Sequence, residues 1–422
     1  VSSTPARIAS APATVTLRHT LLAAGLGLAC CSLAMAQGQA PVDAASAVTA
    51  AVTSAASPAA AAVAENPYGL AALWAGSDIV FKVRAPSPGE VALHIVRALA
   101  RSPTMLWVCI GGAAQLVVLL WRAVMPLAVS PDKRFLYAAL RSQPFRVVSF
   151  GIDAGSGRLK KLGEAPLADS MANIATDATG RWLFAASYPG HKITVNSIGK
   201  DGAVGAVQQL IPTAPHAHAI HADAANRHVF ATSLGGDNLS AWRFDAASGR
   251  LTAHEPALTQ VAPEKSGPRH FVWDAAQRTM YVLNELDAAV HVMAYDKERG
   301  TLRPVQRTTA LPAGFNGKPW AADIHLSPDG RTLYASERTS STLSSFRVDA
   351  ATGQLQPLGQ VPTEKSPRGF AVDSSGRFLI AAGQESHHLA LHPIDPATGI
   401  PGTPTRVPVG KNPNWVGIVD LP

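Results

Sequence analysis

The chain has few cysteines, few charged residues and no run of basic residues, and each of these features excludes a class of protein. Only three of the 422 residues are cysteine, and Cys30, Cys31 and Cys109 all lie in the first 125, which excludes a disulfide framework or a cysteine zinc site in the remainder. Charged residues make up 15% of the chain against the usual quarter or so, which excludes a disordered polyampholyte and a coiled coil. The net charge of +7 includes no block of Lys or Arg, so a nucleic-acid partner is not expected.

The first part of the chain has its own composition, which changes near residue 126. A basic flank followed by an apolar run that ends in Ala-Met-Ala predicts a signal-peptide-like segment over 1–36. An Ala-rich linker follows within 37–83 and has no means of building a core. The segment 84–124 is apolar and unassigned. Its uncharged stretch 104–121 is just long enough for a transmembrane span, and a wrong-frame translation or fusion is the alternative.

Part of this N-terminal region is similar to a known family. The run Asn66-Pro67-Tyr68-Gly69-Leu70, with the signal-like segment and the linker before it, resembles the start of ExbB, the proton-channel subunit of the TonB energy-transducing system. The resemblance covers about 16–83 and ends where that family's first transmembrane helix would follow. It therefore implies no proton channel in this chain.

From residue 125 onward the chain is built of repeats. A tight-turn segment that begins with Asp or Ser, ends in Arg and is followed by an apolar strand recurs six times, and the aligned arginines are 46 to 53 residues apart. These arginines are Arg134, Arg181, Arg227, Arg278, Arg331 and Arg377. Each repeat contains four short strands joined by turn residues, which predicts a β-propeller blade; a β-helix would have about half this period. We predict an all-β propeller over 125–422 with six complete blades and an incomplete seventh, begun by 414–419.

Residues at the same sequence distance, or offset, from the repeated arginine occupy equivalent positions in the blades. At two of these offsets several blades carry polar or charged side chains. Nine residues before it the occupants are Met125, Ala172, His218, Arg269, Ala322 and Arg368. Seven residues after it they are Arg141, Tyr188, Leu234, Glu285, Arg338 and Gln384. Both offsets lie at the end of the blade opposite the turn, so these side chains are predicted to ring one mouth of the central channel. A purely structural position would hold the same apolar residue or Gly each time, so the varied polar set indicates a site.

The residue types indicate which chemistry this mouth can support. Several arginines around one cavity attract an anion and donate paired hydrogen bonds to phosphate or carboxylate. Glu285 and His218 could transfer a proton or position a water molecule. The order Ser–His–Asp and a nucleophile elbow are both absent from the sequence, so a covalent acyl intermediate is not expected. The site therefore suits an anionic ester or lactone, and no metal or cofactor is predicted.

The same region resembles a known enzyme family. Gly267-Pro268-Arg269-His270, Asn284-Glu285-Leu286, Trp320-Ala321-Ala322-Asp323-Ile324-His325 and Ala381-Ala382-Gly383-Gln384-Glu385-Ser386-His387-His388 resemble motifs of the bacterial propeller-type 6-phosphogluconolactonases. The resemblance implies a seven-bladed propeller that hydrolyses 6-phosphoglucono-δ-lactone in the pentose phosphate pathway of the cytoplasm without a required metal. It also implies a catalytic set, carried over from a related muconate lactonizing enzyme, of His218, Arg269, Glu285 and Arg338. Glu337 stands where that family usually has Asp.

The sequence thus predicts a lactonase with Arg141, Arg368, Gln384 and Tyr188 as substrate-binding residues and a monomeric state. Two rival hypotheses remain open, a propeller that only binds a ligand or partner and a lactonase for another anionic lactone. If the N-terminal segment is genuine, it implies membrane attachment or export, although the propeller itself is predicted to be cytoplasmic. The choice between Glu285 and His218 as the base is also open.

Overall fold

A computed structural model describes residues 105–110, 114–119, 124–260 and 265–420. The signal-like segment 1–36 and the Ala-rich, ExbB-like segment 37–83 lie outside the described residues. Within 84–124 the structure describes two strands, β1 (Met105–Ile110) and β2 (Ala114–Leu119), which pair antiparallel as a two-stranded sheet. Among the described residues, no helix has the length and apolar character that a membrane crossing requires.

The described part of the propeller consists of six antiparallel sheets of four strands each, in which neighbours in sequence are neighbours in space. Blade one contains β3 (Val124–Val129), β4 (Phe135–Leu140), β5 (Arg146–Ile152) and β6 (Leu159–Pro166). Blade two contains β7 (Met171–Thr176), β8 (Trp182–Ser187), β9 (Lys192–Ile198) and β10 (Val204–Pro212). Blade three contains β11 (Ala217–Ala222), β12 (His228–Ser233), β13 (Asn238–Asp245) and β14 (Arg250–Gln260), with a short 3-10 helix at Leu234–Gly236.

The other three blades repeat this arrangement. Blade four contains β15 (Pro268–Trp273), β16 (Thr279–Asn284), β17 (Ala289–Asp296) and β18 (Thr301–Thr309). Blade five contains β19 (Ala321–Leu326), β20 (Thr332–Glu337), β21 (Thr342–Val348) and β22 (Leu355–Pro362). Blade six contains β23 (Pro367–Val372), β24 (Phe378–Gly383), β25 (His388–Pro393) and β26 (Thr405–Pro408). The prediction of an all-β propeller is confirmed, and the six sheets match the six complete repeats.

A repeated hydrogen-bonded turn joins the first strand of each blade to the second. In blade two the Asp177 carboxylate accepts hydrogen bonds from the backbone N–H groups of Arg181 and Trp182, at 2.8 and 2.9 Å. Gly180, which lies between Asp177 and Arg181, has φ +68°, a backbone conformation that glycine adopts without steric cost. Asp223, Asp274 and Asp373 make the same pair of bonds in their own blades. The turn thereby fixes where the second strand begins.

Burial changes from the axis to the rim of each blade. The first strands of successive blades touch one another around the axis, and the second strands, such as β8 and β20, are buried along their whole length. The fourth strands alternate between buried or half-buried and exposed residues, as β10 does, because one face is in contact with solvent. The core therefore lies between adjacent blades, where aromatic residues such as Phe184 and Phe346 are buried.

The segment 414–419 lies between blade six and blade one. The backbone of Asn414 and Trp415 runs so close to Gly369 of β23 that a Cβ there would lie 2.7 Å from the Asn414 carbonyl oxygen. Val416 packs into the blade-six core. On the other side, Trp415 and Gly417 line a cavity of about 80 Å³ together with Leu127 and other residues of blade one. This segment therefore connects the two ends of the row of six sheets.

Candidate active site

Every first strand carries an irregularity at the offset nine residues before the repeated arginine. The antiparallel register shifts between Ala217 and Ile220 in β11, between Pro268 and His270 in β15, and at the same offset in the other four first strands. A bulge of this kind bends the strand and changes the direction of a side chain, and bulges are common next to active sites. His218, Arg269 and Arg368 all lie within these irregularities.

Hydroxyl groups on the second strands hold two of these bulges in place. Thr232 Oγ1 accepts the Ala219 N–H at 3.0 Å and donates to the Arg269 carbonyl of the next blade at 2.7 Å. Ser336 Oγ accepts the Asp323 N–H at 3.0 Å in blade five. These side chains supply partners to backbone groups beside the irregular register, so the bulge is stable although it is buried.

The residues of the second offset follow directly after the second strands. Glu285 follows β16, Arg338 follows β20 and Gln384 follows β24. Their backbone N–H groups donate to the carbonyls of Gly267, Trp320 and Ser366, at 2.7, 3.1 and 3.0 Å. These bonds bring both offsets to the same end of each blade, as the repeat register predicts.

Arg269, Glu285, Arg338 and Trp320 form one cluster across blades four and five. Glu285 Oε2 accepts from Arg269 Nε at 2.7 Å and lies 3.0 Å from a terminal nitrogen of Arg338. Glu285 Oε1 accepts from Trp320 Nε1 at 3.2 Å. The Arg338 guanidinium carbon lies 3.7 Å from the centre of the Trp320 ring, in a cation–π contact.

The neighbours of Glu285 and Arg338 within this cluster shift the pKa values of both side chains. Burial alone would raise the pKa of Glu285, but the charges and hydrogen bonds of Arg269 and Arg338 outweigh it and hold that pKa below its usual value. Burial and the nearby Arg269 lower the pKa of Arg338 to about 9. Both oxygens of Glu285 are already engaged, so this carboxylate orients the two guanidinium groups. A guanidinium has five N–H donors, which leaves capacity to bind a carbonyl or an anion.

His218 lies beside this cluster and is buried, with 4% of its surface exposed. Burial first, and then the charge of Arg269, hold its pKa well below the usual value, so its imidazole is neutral near pH 7. A neutral imidazole has one nitrogen that can accept a proton. Within the described residues, its Nδ1 atom has no hydrogen-bond partner.

Three of the four predicted substrate-binding residues, Arg141, Tyr188 and Arg368, interact electrostatically with the cluster. Burial and then the positive charge of Arg269 lower the pKa of Arg141, whose Nε donates to Ser170 Oγ at 3.0 Å. Tyr188 stacks on His216 with ring centres 4.2 Å apart, and its pKa is raised by burial and then by Glu285. Arg368 acts electrostatically on both His218 and Arg338. Gln384 follows β24, and its buried Oε1 makes no hydrogen bond within the described residues.

The offset reasoning missed five residues that the structure places beside this site. The Trp320 ring covers the Arg338 guanidinium. Glu337 Oε1 accepts the backbone N–H of Trp320 at 2.6 Å and so holds Trp320 in this position. His270, Asp323 and His325 form a second polar group on β15 and β19. The sequence did contain a signal for two of them, one residue after the first offset. Eight residues before the repeated arginine, three of the blades carry polar residues, which are Asn173, His270 and Asp323. No three His, Cys, Asp or Glu side chains converge as a metal site would require in the described part of the chain.

Comparison with known proteins identifies the family to which this arrangement belongs. The family model described as "Lactonase, 7-bladed beta-propeller" matches residues 114–418. The chain is 42% identical over 299 residues to the 6-phosphogluconolactonase of Pectobacterium carotovorum subsp. carotovorum (strain PC1), covering 71% of this chain and 89% of that one. It is 37% identical to the 6-phosphogluconolactonase of Cronobacter sakazakii (strain ATCC BAA-894), covering 80% of this chain and 97% of that one.

A solved structure agrees with these sequence matches. The periplasmic gluconolactonase of Pseudomonas aeruginosa superimposes with a TM-score of 0.65 at 30% identity, covering 73% of this chain and 93% of that one. The fold, the family model and the curated relatives therefore agree with one another and with the resemblance stated from the motifs. This chain belongs to the seven-bladed β-propeller lactonase family.

Proposed function

We propose that this chain hydrolyses 6-phosphoglucono-δ-lactone to 6-phosphogluconate by attack of water at the channel mouth. The observation that carries the proposal is the buried cluster in which Glu285 orients Arg269 and Arg338 next to the neutral His218. The curated relatives named above, which are 6-phosphogluconolactonases, support the same reaction.

The proposed roles follow from the geometry of the cluster. Arg269 and Arg338 stabilise the negative charge that develops on the carbonyl oxygen when water adds to the lactone. Of the two candidates for the base, His218 is favoured over Glu285, since both carboxylate oxygens of Glu285 already accept hydrogen bonds from Arg269 and Trp320. Arg141 and Arg368 bind the phosphate, which carries two negative charges for much of its population near neutral pH. Tyr188 and Gln384 contact the sugar.

The proposal is tested by measuring hydrolysis of 6-phosphoglucono-δ-lactone above its spontaneous background. We expect the full chain to be active. Arg269→Ala and Glu285→Gln should each lower kcat by about 100-fold or more, because the first removes a donor to the developing oxyanion and the second removes the carboxylate that orients Arg269 and Arg338. Glu298→Gln serves as the control, since Glu298 pairs with Arg227 on the surface with 82% of its side chain exposed. Wild-type rates in both Arg269→Ala and Glu285→Gln would refute the assignment of the site.

A second candidate activity is hydrolysis of the unphosphorylated gluconolactone, which the name of the Pseudomonas relative favours. The two activities differ in the phosphate alone. If the phosphorylated lactone is the substrate, Arg368→Gln and Arg141→Gln should lower kcat/KM for it about tenfold or more, with little effect on gluconolactone. If gluconolactone is the substrate, the unmodified chain should prefer it and the two variants should not change that preference.

The remaining parts of the proposal concern architecture and location. We infer that 414–419 is the innermost strand of a seventh blade, because it lies between β23 and β3 where that strand would be needed. We further propose a monomer that acts in the cytoplasm, where phosphorylated sugars are formed. Size-exclusion chromatography and fractionation of cells that express the full chain test both points, and recovery in the periplasm would instead favour the gluconolactonase activity.

A further inference from the structure

Asp323 holds two histidines in the wall of the channel. Its Oδ1 lies 2.7 Å from His270 Nδ1, and its Oδ2 lies 3.1 Å from His325 Nε2. Asp323 itself is 8% exposed, and burial would raise its pKa, but His325 and His270 hold that pKa well below the usual value. The carboxylate is therefore an anion that accepts from both rings.

The repeat shows that the structure alone does not require a carboxylate here. Asp323 Oδ2 also accepts the Phe370 N–H of the next blade, at 3.2 Å. Asn173 occupies the same offset in blade two and accepts the Ile220 N–H of the next blade, at 3.1 Å. Both bonds join equivalent atoms of neighbouring blades, and an amide oxygen suffices for one of them. The negative charge at Asp323 therefore has a purpose other than joining blades.

The hydrogen bond to Asp323 fixes which nitrogen of His270 carries its proton. A carboxylate can only accept, so neutral His270 carries the proton on Nδ1 and Nε2 is an acceptor. Burial and then Arg269 lower the pKa of His270 to about 4, so the ring is neutral near pH 7. Its Nε2 is buried and has no hydrogen-bond partner within the described residues.

The ring next to His270 has a matching unpartnered atom. His218 and His270 lie with ring centres 5.0 Å apart and an angle of 65° between their planes. His218 Nδ1 is likewise buried without a partner in the described residues. A buried polar atom without a partner is costly, so two in adjacent rings call for a functional explanation.

We propose that Asp323, His270 and His218 form a relay in which Asp323 fixes the tautomer of His270 and His270 in turn fixes the tautomer of His218. In this relay His270 Nε2 accepts a hydrogen bond from the Nδ1–H of His218. His218 Nε2 is then left as the acceptor that faces the attacking water. This inference rests on the proposed function, and it makes His270 and Asp323 positioning residues for the base His218.

The relay gives each proton a defined path. Water adds to the lactone carbonyl carbon and its proton moves to His218 Nε2, which makes His218 a cation. The hydrogen bond through His270 to the Asp323 carboxylate stabilises that charge. The tetrahedral intermediate then collapses, the ring C–O bond breaks, and His218 returns the proton to the leaving ring oxygen. The product is a hydroxy acid, which loses its own acidic proton to solvent.

Two substitutions of His270 separate the relay from simple packing. His270→Phe keeps an aromatic ring but offers no acceptor, and it should lower kcat by about 100-fold with KM within about threefold of the original. His270→Gln keeps a donor for Asp323 and an acceptor for His218, so it should restore kcat to within about tenfold. A His270→Phe variant with the original kcat overturns the relay, as does a His270→Gln variant no better than His270→Phe.

Asp323→Asn tests the charge with a matched control. An amide has one acceptor oxygen, which cannot serve both His270 and Phe370, so kcat should fall at least about tenfold. Asn173→Ala removes the equivalent bond between blades, and it should lower the unfolding midpoint while leaving kcat within about threefold. If the two variants lose stability alike and both keep kcat, Asp323 has a structural role only and the relay is refuted.

Direct observation of the tautomers separates this inference from the proposed function. In long-range ¹H–¹⁵N spectra of the full chain with ¹⁵N-labelled histidine, His218 and His270 should each carry the proton on Nδ1. In His270→Phe, His218 should lose that preference. A chain that shows these tautomers but does not hydrolyse 6-phosphoglucono-δ-lactone refutes the proposed substrate and supports the relay. A chain that hydrolyses it with the His218 proton on Nε2 refutes the relay alone.

Discussion

At the scale of single residues, Glu285 illustrates how one buried carboxylate serves two buried arginines. Arg269 and Arg338 come from neighbouring blades, and each would be an unpaired cation without Glu285 between them. Removing one partner of a buried ion pair is far more costly than removing an exposed pair. The residue that organises the site therefore also stabilises the join between blades four and five.

This leads to a prediction about stability. Glu285→Gln should lower the free energy of unfolding by about 3–5 kcal/mol, since it leaves two like charges buried together. The exposed pair of Arg227 with Glu298 provides the control, and Glu298→Gln should change the urea midpoint far less than Glu285→Gln does, because water screens exposed charges. Urea unfolding followed by tryptophan fluorescence measures both. Equal effects of the two substitutions would contradict the account of the cluster.

Much of the site could be predicted at this scale because the blades are equivalent. Counting from the repeated arginine places His218, Arg269, Glu285 and Arg338 at one end of their blades, and the structure brings Glu285 into contact with both arginines. The role of Asp323 could not be predicted, since its two histidines are on different strands and their pairing depends on how the blades pack.

At the scale of the strand, the bulge in each first strand is the element that aims the site. Thr232 holds one bulge by accepting from Ala219 and donating to the Arg269 carbonyl of the next blade. Strand positions could be predicted from turns and alternation, but a register shift could not, because it is a property of two paired strands. The sequence pattern therefore located the mouth without revealing how the side chains are directed into it.

We expect Thr232→Val to affect both stability and activity. The substitution keeps the shape but leaves the Ala219 N–H and the Arg269 carbonyl without this partner, which should cost about 1–3 kcal/mol. It should also lower kcat/KM about tenfold, since Arg269 loses its support. Ser344→Ala is the control, because Ser344 on the third strand β21 donates to the carbonyl of Ala310, which follows the outermost strand β18, and neither residue lies on a first strand. Unfolding curves and lactone hydrolysis measure both effects, and an unchanged kcat/KM in Thr232→Val would contradict the role of the bulge.

At the scale of the whole molecule, the repeat period was sufficient to predict the architecture. Six repeats in the sequence became six four-stranded sheets, since the Asp or Ser that begins each turn accepts a backbone N–H at the start of the second strand. The period could not show how the row of blades closes. The segment 414–419 contacts both β23 of blade six and β3 of blade one, and these strands are far apart in the sequence.

Buried histidines give the molecule a defined response to acid. Burial is the largest cause that lowers the pKa of His218, His221, His228, His270, His291 and His392, and for His221 and His270 the value is about 4. The unfolded chain binds protons on these rings below about pH 6.5, whereas the folded chain resists protonation until lower pH. Stability should therefore fall as the pH drops from about 6.5 towards 4.

Each such histidine should contribute a slope of up to about 1.4 kcal/mol per pH unit in that window. His325 acts in the opposite sense, because Asp323 raises its pKa against the effect of burial, and its contribution is lost as the pH rises through that value. Urea midpoints between pH 7.5 and 4.5 test the prediction, and His221→Gln should reduce the slope. Midpoints that are constant or rise with acid would contradict it.

The position of 414–419 also has a consequence for how the protein is made. A ribosome translates these residues after all six sheets, yet Trp415 packs against His270 of blade four, with ring centres 6.0 Å apart, and its backbone lies against Gly369. A nascent chain that already contains every blade therefore lacks part of the channel wall. The site is completed only after these residues leave the ribosomal exit tunnel, so a newly synthesised molecule stays inactive until the segment 414–419 has emerged and packed against blades one and six.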